Sequence, residues 1–287
     1  MPFTDSHCHL DFKEFSLSQS SILEACAKAG IHRIVIPAIT PKNWQHVLEL
    51  ANPCASAQQT AYCKTYACLG IHPWFLEGLG QEHLNELALE VQKNRNNIVA
   101  IGETGIDGVI AQQKNNLAQQ LAFFKYQLQL AKDHHLPIII HHRRSHQHII
   151  PLLKQASLHP GGIIHAFSGS EQEAKAYIKL GFKLGVGGAI TYPRAQKTIR
   201  AIKRIPLSSL VLETDAPSMP LYGFQGQANS PLQLIKIFDA LVEIRPETSA
   251  EVMRQLEENI NAVFQFCPSP GLKHRVIRRK ADDSPAG

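Results

Sequence analysis

The chain has 287 residues, a formal charge of +5, 44% apolar and 18% charged residues, which excludes a disordered chain, and no apolar run reaches the ~20 residues that a bilayer span needs. Its length suits one large α/β barrel, which takes about 250 residues, so a second domain is not required. Between Leu272 and Gly287 five Lys or Arg stand against two Asp; the rest of the chain is therefore nearly neutral, which disfavours a long sequence-independent duplex footprint and suits a short phosphate-bearing substrate.

The opening "MPFTDSH" lacks a basic segment followed by an apolar stretch, so no cleaved secretory signal is expected and a cytoplasmic location is. Short, nearly all-apolar runs then recur: Phe3 to Asp5, Ile31 to Ile39, Tyr66 to Ile71, Ile98 to Gly102, Ile138 to Ile140, Gly162 to Ile164, Phe182 to Val186 and Leu210 to Leu212. Without polar alternation, each reads as a strand buried on both faces of a parallel sheet. Amphipathic stretches separate them. In Leu117 to His134, Leu121, Phe124, Leu128 and Ala131 fall at helical spacing, and Glu171 to Leu180 and Ala195 to Arg204 read likewise. Strand then helix, eight times, predicts a closed (β/α)8 TIM barrel over residues 1–267, with helices in Pro231 to Phe266 completing the outer layer. Residues 268–287 read as a solvated, flexible basic tail. Cys8, Cys26, Cys54, Cys63, Cys68 and Cys267 form no CxxC pair and read as free thiols.

Barrel enzymes build their sites at the C-terminal ends of strands. Here the first run is followed by His7 and His9, the fourth by Glu103, the fifth by His141, the sixth by His165 and the eighth by Asp215. On a strand, His7 and His9 would share a face. One buried histidine alone is more often satisfied by a backbone carbonyl than by a metal, but matched strand ends favour ligands. Four imidazoles and two carboxylates suit Zn²⁺, Mn²⁺ or similar ions and carry too much nitrogen for a pure Mg²⁺ or Ca²⁺ cage. Six side chains exceed the needs of one four-coordinate ion, so two ions sharing a carboxylate is the economical arrangement, and hydrolysis the reaction class.

The stretches "DSHCHLDF", "LGIHPW", "AIGETGID", "QLQLAKDHHLPIIIHHRR", "IIHAFSGS", "KLGVGGAITYPRA" and "VLETDAPSMP" together resemble the TatD family of metal-dependent hydrolases, from Thr4 to about Pro231. The last two, with "LYGFQGQANSP", are most similar to its YjjV-like branch. The resemblance implies an amidohydrolase-superfamily barrel with deoxyribonuclease or phosphodiesterase activity and two divalent ions per subunit, Zn²⁺, Mn²⁺ or Mg²⁺. It implies His7, His9, Glu103 and Asp215 around one ion and Glu103, His141 and His165 around the other, with His72 touching substrate phosphate; an outer partner of a ligand is the alternative for His72. Gln227 and Ala228 precede Asn229 and Pro231 where many members carry a cation, which disfavours a grip on long DNA.

Asp215, within reach of an activated water at the eighth strand end, is the expected general base as well as a ligand. Arg143, two residues after His141, is placed to pair with phosphate oxygens, or else to form a surface salt bridge. Glu213 alternates with Asp215 and supports a ligand or lines the pocket. Trp74 and Tyr192 stack on a base or simply pack. The expected substrate is DNA or a short phosphodiester, with no membrane and no protein partner called for. A carbonyl ester or amide, including an aminoacyl-tRNA ester, is the alternative substrate, and a non-catalytic binding protein the remaining reading.

Overall fold

The computed structural model describes residues 3–51 and 63–266, so the basic tail, Cys54 and Cys267 lie outside the described residues. β1 (Phe3–Asp5) is followed by α1 (Gln19–Lys28), β2 (Ile31–Pro37), α2 (Trp44–Leu50) and β3 (Lys64–Leu69). Next, α3 (Gln81–Lys93) leads to β4 (Ile98–Asp107), and α4 (Gly108–Lys114) with α5 (Leu117–Asp133) leads to β5 (Ile138–Arg143). The ring continues through α6 (His146–Ala156), β6 (Gly162–Ile164), α7 (Glu171–Lys179), β7 (Phe182–Val186), α8 (Gln196–Arg204) and β8 (Leu210–Leu212). Two further helices follow, α9 (Leu234–Ile244) and α10 (Ser249–Val263).

All eight strands pair in parallel in sequence order. The edges meet where Ser6 N donates to Leu212 O at 2.9 Å and Asp215 N donates to His7 O at 2.9 Å, so the sheet curls into a barrel joined at its upper end. Two strands outrun their apolar cores: β4 continues past Gly102 to Asp107 and β5 past Ile140 to Arg143. The reason lies in the backbone, since the β4–β5 ladder still matches Gly105 to His141 and Asp107 to Arg143 while the side chains turn polar. Gly102, at φ 142°, passes so close to β5 that a Cβ there would sit 2.8 Å from Ile139 O, and only glycine meets both demands.

Strand side chains divide between two apolar clusters. Ile34, Ile36, Ile138, Ile140, Leu210 and Leu212 belong to the larger one, against the helices. Their neighbours Val35, Ile139, Ile163 and Val211 form the second with Ile260, Val263 and Phe264. Adjacent strand residues point oppositely, so this second cluster fills the lower barrel interior, under α10. Asn259 of α10 fixes that cover by donating to Leu207 O at 2.8 Å and Leu210 O at 2.7 Å, where β8 begins.

Helix α5 does more than pack. Phe124, Leu128 and Ala131 are buried as the helical spacing predicts, and Leu121 is partly buried; each large side chain so buried contributes ~1.5–3 kcal/mol. Two buried glutamines on the same helix reach the upper loops. Gln127 accepts from Ile71 N at 2.8 Å and donates to Ile71 O at 3.1 Å, and Gln120 accepts from Asp107 N at 2.9 Å. The helix therefore holds the backbone beside His72 and at Asp107. Among the described residues, no helix is long and apolar enough to cross a membrane.

Candidate metal centre

β1 ends at Asp5, so His7 and His9 lie just beyond the strand rather than on it. Backbone bonds to β2 and to the segment after β8 aim them: Cys8 N donates to Val35 O at 3.0 Å and His9 N to Ala216 O at 2.8 Å. The two imidazoles converge edge to face, with their Nε2 atoms 3.2 Å apart. Glu103 Oε2 lies 3.2 Å from His7 Nε2 and 3.5 Å from His9 Nε2. Asp215 Oδ1 is 3.6 Å from each.

These separations carry a chemical meaning. Four ligands 2.0–2.1 Å from a tetrahedral ion stand about 3.3–3.4 Å from one another, and the observed 3.2–3.6 Å brackets that value. Two imidazole nitrogens and two carboxylate oxygens facing one point have lone pairs to share, and a cation resolves them all at once. The donor set fits a divalent ion.

A second group gathers on the other oxygen of Glu103. Its Oε1 is 3.2 Å from His72 Nε2 and 3.1 Å from His141 Nδ1. His165 stacks on His7 with ring centroids 3.5 Å apart, and its Nε2 lies 3.5 Å from Asp215 Oδ1. Thus the structure brings Glu103 and His141 together, adds His72 to them, and sets His165, which was expected with them, beside Asp215. Groups of donors able to share one ion are His7, His9 and Asp215; His72, Glu103 and His141; and His7, His165 and Glu213.

Glu213 is wholly buried, with Oε1 3.0 Å from His165 Nδ1 and accepting from Ala166 N. A Cβ on Gly185 would meet Glu213 Oε2 at 2.2 Å, so the absence of a side chain on β7 makes room for this carboxylate. Asp107, unlike Glu213, was inconspicuous within "AIGETGID". It is buried, accepts from Trp74 Nε1 at 2.7 Å, and lies 3.1 Å from His141 Nε2. The signal that could have found it is parity, since Glu103 and Asp107 fall on the same face of one strand.

Charge in this group is arranged for binding cations. Burial would raise the Glu103 carboxyl, but His72 and His7 beside it hold it well below the usual carboxylate range. Burial opposes ionisation of Asp215 too, and His165, His7 and His9 overcome it. Burial pushes His7 down and His72 down to about 4. Against the same burial, neighbouring carboxylates raise His9, His141 and His165. A cation binding there would displace those protons.

Above these groups opens a cavity of about 530 Å³ whose walls include Trp74, Phe75, Arg143, Ser168, Ser218 and Met219. Its size falls within the range of small-molecule sites. Arg143 is half exposed, with Nη1 4.0 Å from Asp107 Oδ2. His72 lines the cavity, and its Nδ1 accepts from Trp74 N at 3.1 Å. Tyr192 is outside that lining; its hydroxyl donates to Pro220 O at 2.7 Å and its ring packs on Tyr222.

An eight-stranded parallel barrel with imidazoles and carboxylates gathered over its strand ends belongs to the class of metal-dependent hydrolases. A family model described as TatD related DNase matches residues 4–265, and the chain belongs to the TatD family. It is 41% identical over 262 residues to the Escherichia coli (strain K12) protein named uncharacterized metal-dependent hydrolase YjjV, covering 91% of this chain and 97% of that one. A Haemophilus influenzae uncharacterized metal-dependent hydrolase is 37% identical over 274 residues, covering 92% of this chain and 100% of the relative. The crystal structure of the E. coli YjjV protein superposes with a TM-score of 0.83 at 42% identity, covering 91% of this chain and 97% of that one.

Proposed function

We propose that this TatD-family hydrolase cleaves phosphodiester bonds with two divalent ions, acting on DNA or a short phosphodiester. The observation that carries the reading is the split of Glu103, whose Oε2 faces His7 and His9 and whose Oε1 faces His72 and His141. One carboxylate serving two donor sets is the arrangement of a bridged pair of ions. His7, His9, Glu103 and Asp215 would hold one ion, Glu103 and His141 with His165 the other, and Zn²⁺, Mn²⁺ or Mg²⁺ are the candidates. Bound in such a pair, divalent ions lower the pKa of water and polarise phosphoryl oxygens.

The chain's own residues do the rest. Asp215 is kept ionised by its histidine neighbours, so it can accept the proton of the attacking water. Arg143 reaches the cavity from the end of β5 and pairs with a non-bridging phosphate oxygen. His72, fixed by Trp74 N and adjoining Glu103, meets the same phosphate. Trp74, 42% exposed on the wall, offers a face on which a base can stack.

The test is hydrolysis of a 3′-labelled single-stranded DNA oligonucleotide and of bis(p-nitrophenyl) phosphate by metal-stripped protein refilled with Zn²⁺, Mn²⁺ or Mg²⁺, beside Asp215→Asn. Metal-dependent cleavage lost in the variant is expected. A metal-loaded wild type inert on both substrates would overturn the phosphodiester reading in favour of a carbonyl ester or amide.

A further inference from the structure

Asp107 ends β4 with every lone-pair direction of its carboxylate engaged. Oδ1 accepts from Val109 N and Ile110 N, both at 2.9 Å, at the start of α4. Oδ2 accepts from Trp74 Nε1 at 2.7 Å and stands 3.1 Å from His141 Nε2. Its backbone N–H is held by Gln120. The carboxylate is therefore fixed from the helix side and from its own backbone, and it presents one oxygen to two rings that serve different purposes. His141 turns its other nitrogen, Nδ1, to Glu103; Trp74 forms the cavity wall.

An ionised carboxylate only accepts hydrogen bonds. Facing Asp107, His141 Nε2 carries a proton, so Nδ1, which faces Glu103 and the cavity, is the nitrogen whose proton an ion would replace. His165 shows the mirror arrangement: Glu213 faces its Nδ1 and its Nε2 is turned to Asp215. Two buried carboxylates thus face opposite nitrogens on two histidines. Asp107 differs from Glu213 in also gripping an aromatic side chain of the cavity wall.

We propose that Asp107 is a positioning residue that fixes which nitrogen His141 offers to an ion and ties that choice to the placement of Trp74 on the substrate wall. The inference rests on His141 binding an ion, and it does not depend on which substrate is cleaved. An asparagine at this position keeps the size of the side chain. If its oxygen still caps α4, its amide N–H₂ faces the indole N–H and His141 Nε2, donor against donor, and His141 is driven to the other tautomer.

The first readout uses the wild type loaded with ¹¹³Cd²⁺ and labelled with ¹⁵N. His141, assigned by the loss of its signals in His141→Gln, is expected to couple to cadmium through Nδ1 and to keep a proton on Nε2. Coupling through Nε2 would overturn the proposal while leaving the two-ion reading intact; no coupling to either nitrogen would overturn both. In Asp107→Asn, competition with a chromophoric chelator should show one of two ions bound about 10–100-fold more weakly, the usual loss when a ligand's outer partner is removed. Tryptophan emission should shift as well, because the chain has two tryptophans and the other, Trp44, is buried with its N–H donated to Gly70 O at 2.8 Å. Unchanged affinity for both ions in the folded variant would overturn the assignment.

Discussion

The lower and upper halves of the barrel interior are built by the same strands, often by residues two positions apart. Ile139, Ile163 and Val211 lie in the apolar cluster under α10. Two residues further along each segment, His141, His165 and Glu213 join the polar group above. Strand periodicity puts all six on the inner face, so position along the strand alone separates stability from chemistry. The lower half gains free energy by burying apolar surface. In the upper half, buried side chains such as His7, His9, His72, Glu103, Asp107, His165 and Glu213 resist desolvation, and the rest of the fold must offset that cost.

The sharpest break between the halves is expected from Asp215→Asn. Asp215 has φ 56°, a left-handed conformation that asparagine tolerates as well as aspartate. Turnover of bis(p-nitrophenyl) phosphate should fall by roughly 10²–10⁴-fold, the range for losing a general base, with the urea midpoint of the metal-stripped protein little changed. A variant that loses stability in proportion to activity would erase the distinction. Ile163→Ala tests the opposite half. Its side chain is fully buried, so truncation should cost ~2–5 kcal/mol in urea unfolding while kcat per folded molecule stays as in the wild type.

Asp5 sits between the halves, and its contribution should be read from pH. Burial raises its pKa from 3.8 to about 7, against the opposing hydrogen bonds of Thr214 and His7. A carboxyl that keeps its proton in the folded chain and gives it up in the unfolded one binds more protons when folded. Its contribution therefore favours the fold below about pH 4 and is lost as pH rises from there to about 7. Asp5→Asn can keep the bonds from Thr214 N and His7 N and donate to Thr214 Oγ1. In metal-stripped protein, urea midpoints at pH 5 and pH 8 should differ less for this variant than for the wild type; parallel behaviour would show that Asp5 does not titrate there. The smallest effect belongs to neither half. Ser170 caps α7, accepting from Glu173 N at 3.2 Å while Glu173 accepts from Ser170 N, so Ser170→Ala should cost about 1 kcal/mol and leave metal affinity and turnover alone.

Much of this was legible in the sequence because both signals are one-dimensional. Apolar runs mark the buried strands, and a histidine or carboxylate following five of the eight marks the upper end. What stayed hidden depends on contacts across the ring. β4 and β5 run on into polar residues because their ladder continues, and no hydropathy pattern reports a ladder. His72 reaches Glu103 from the loop after β3, and Tyr192 packs on Tyr222 instead of facing the cavity; both depend on how loops fold back. Asp107 matters through His141, a partner far off in the chain.

The seam between the first and last strands has a consequence for how the protein is made. His7 O receives Asp215 N and Ser6 N reaches Leu212 O, so the donor group of His7, His9 and Asp215 is assembled from the two extremities of the ring. During synthesis the two histidines leave the ribosome early and wait for about two hundred more residues before their carboxylate partner arrives. A tight grip on an ion that those three side chains would share is thus acquired only when the ring closes, and metal retention would distinguish a closed seam from one still open.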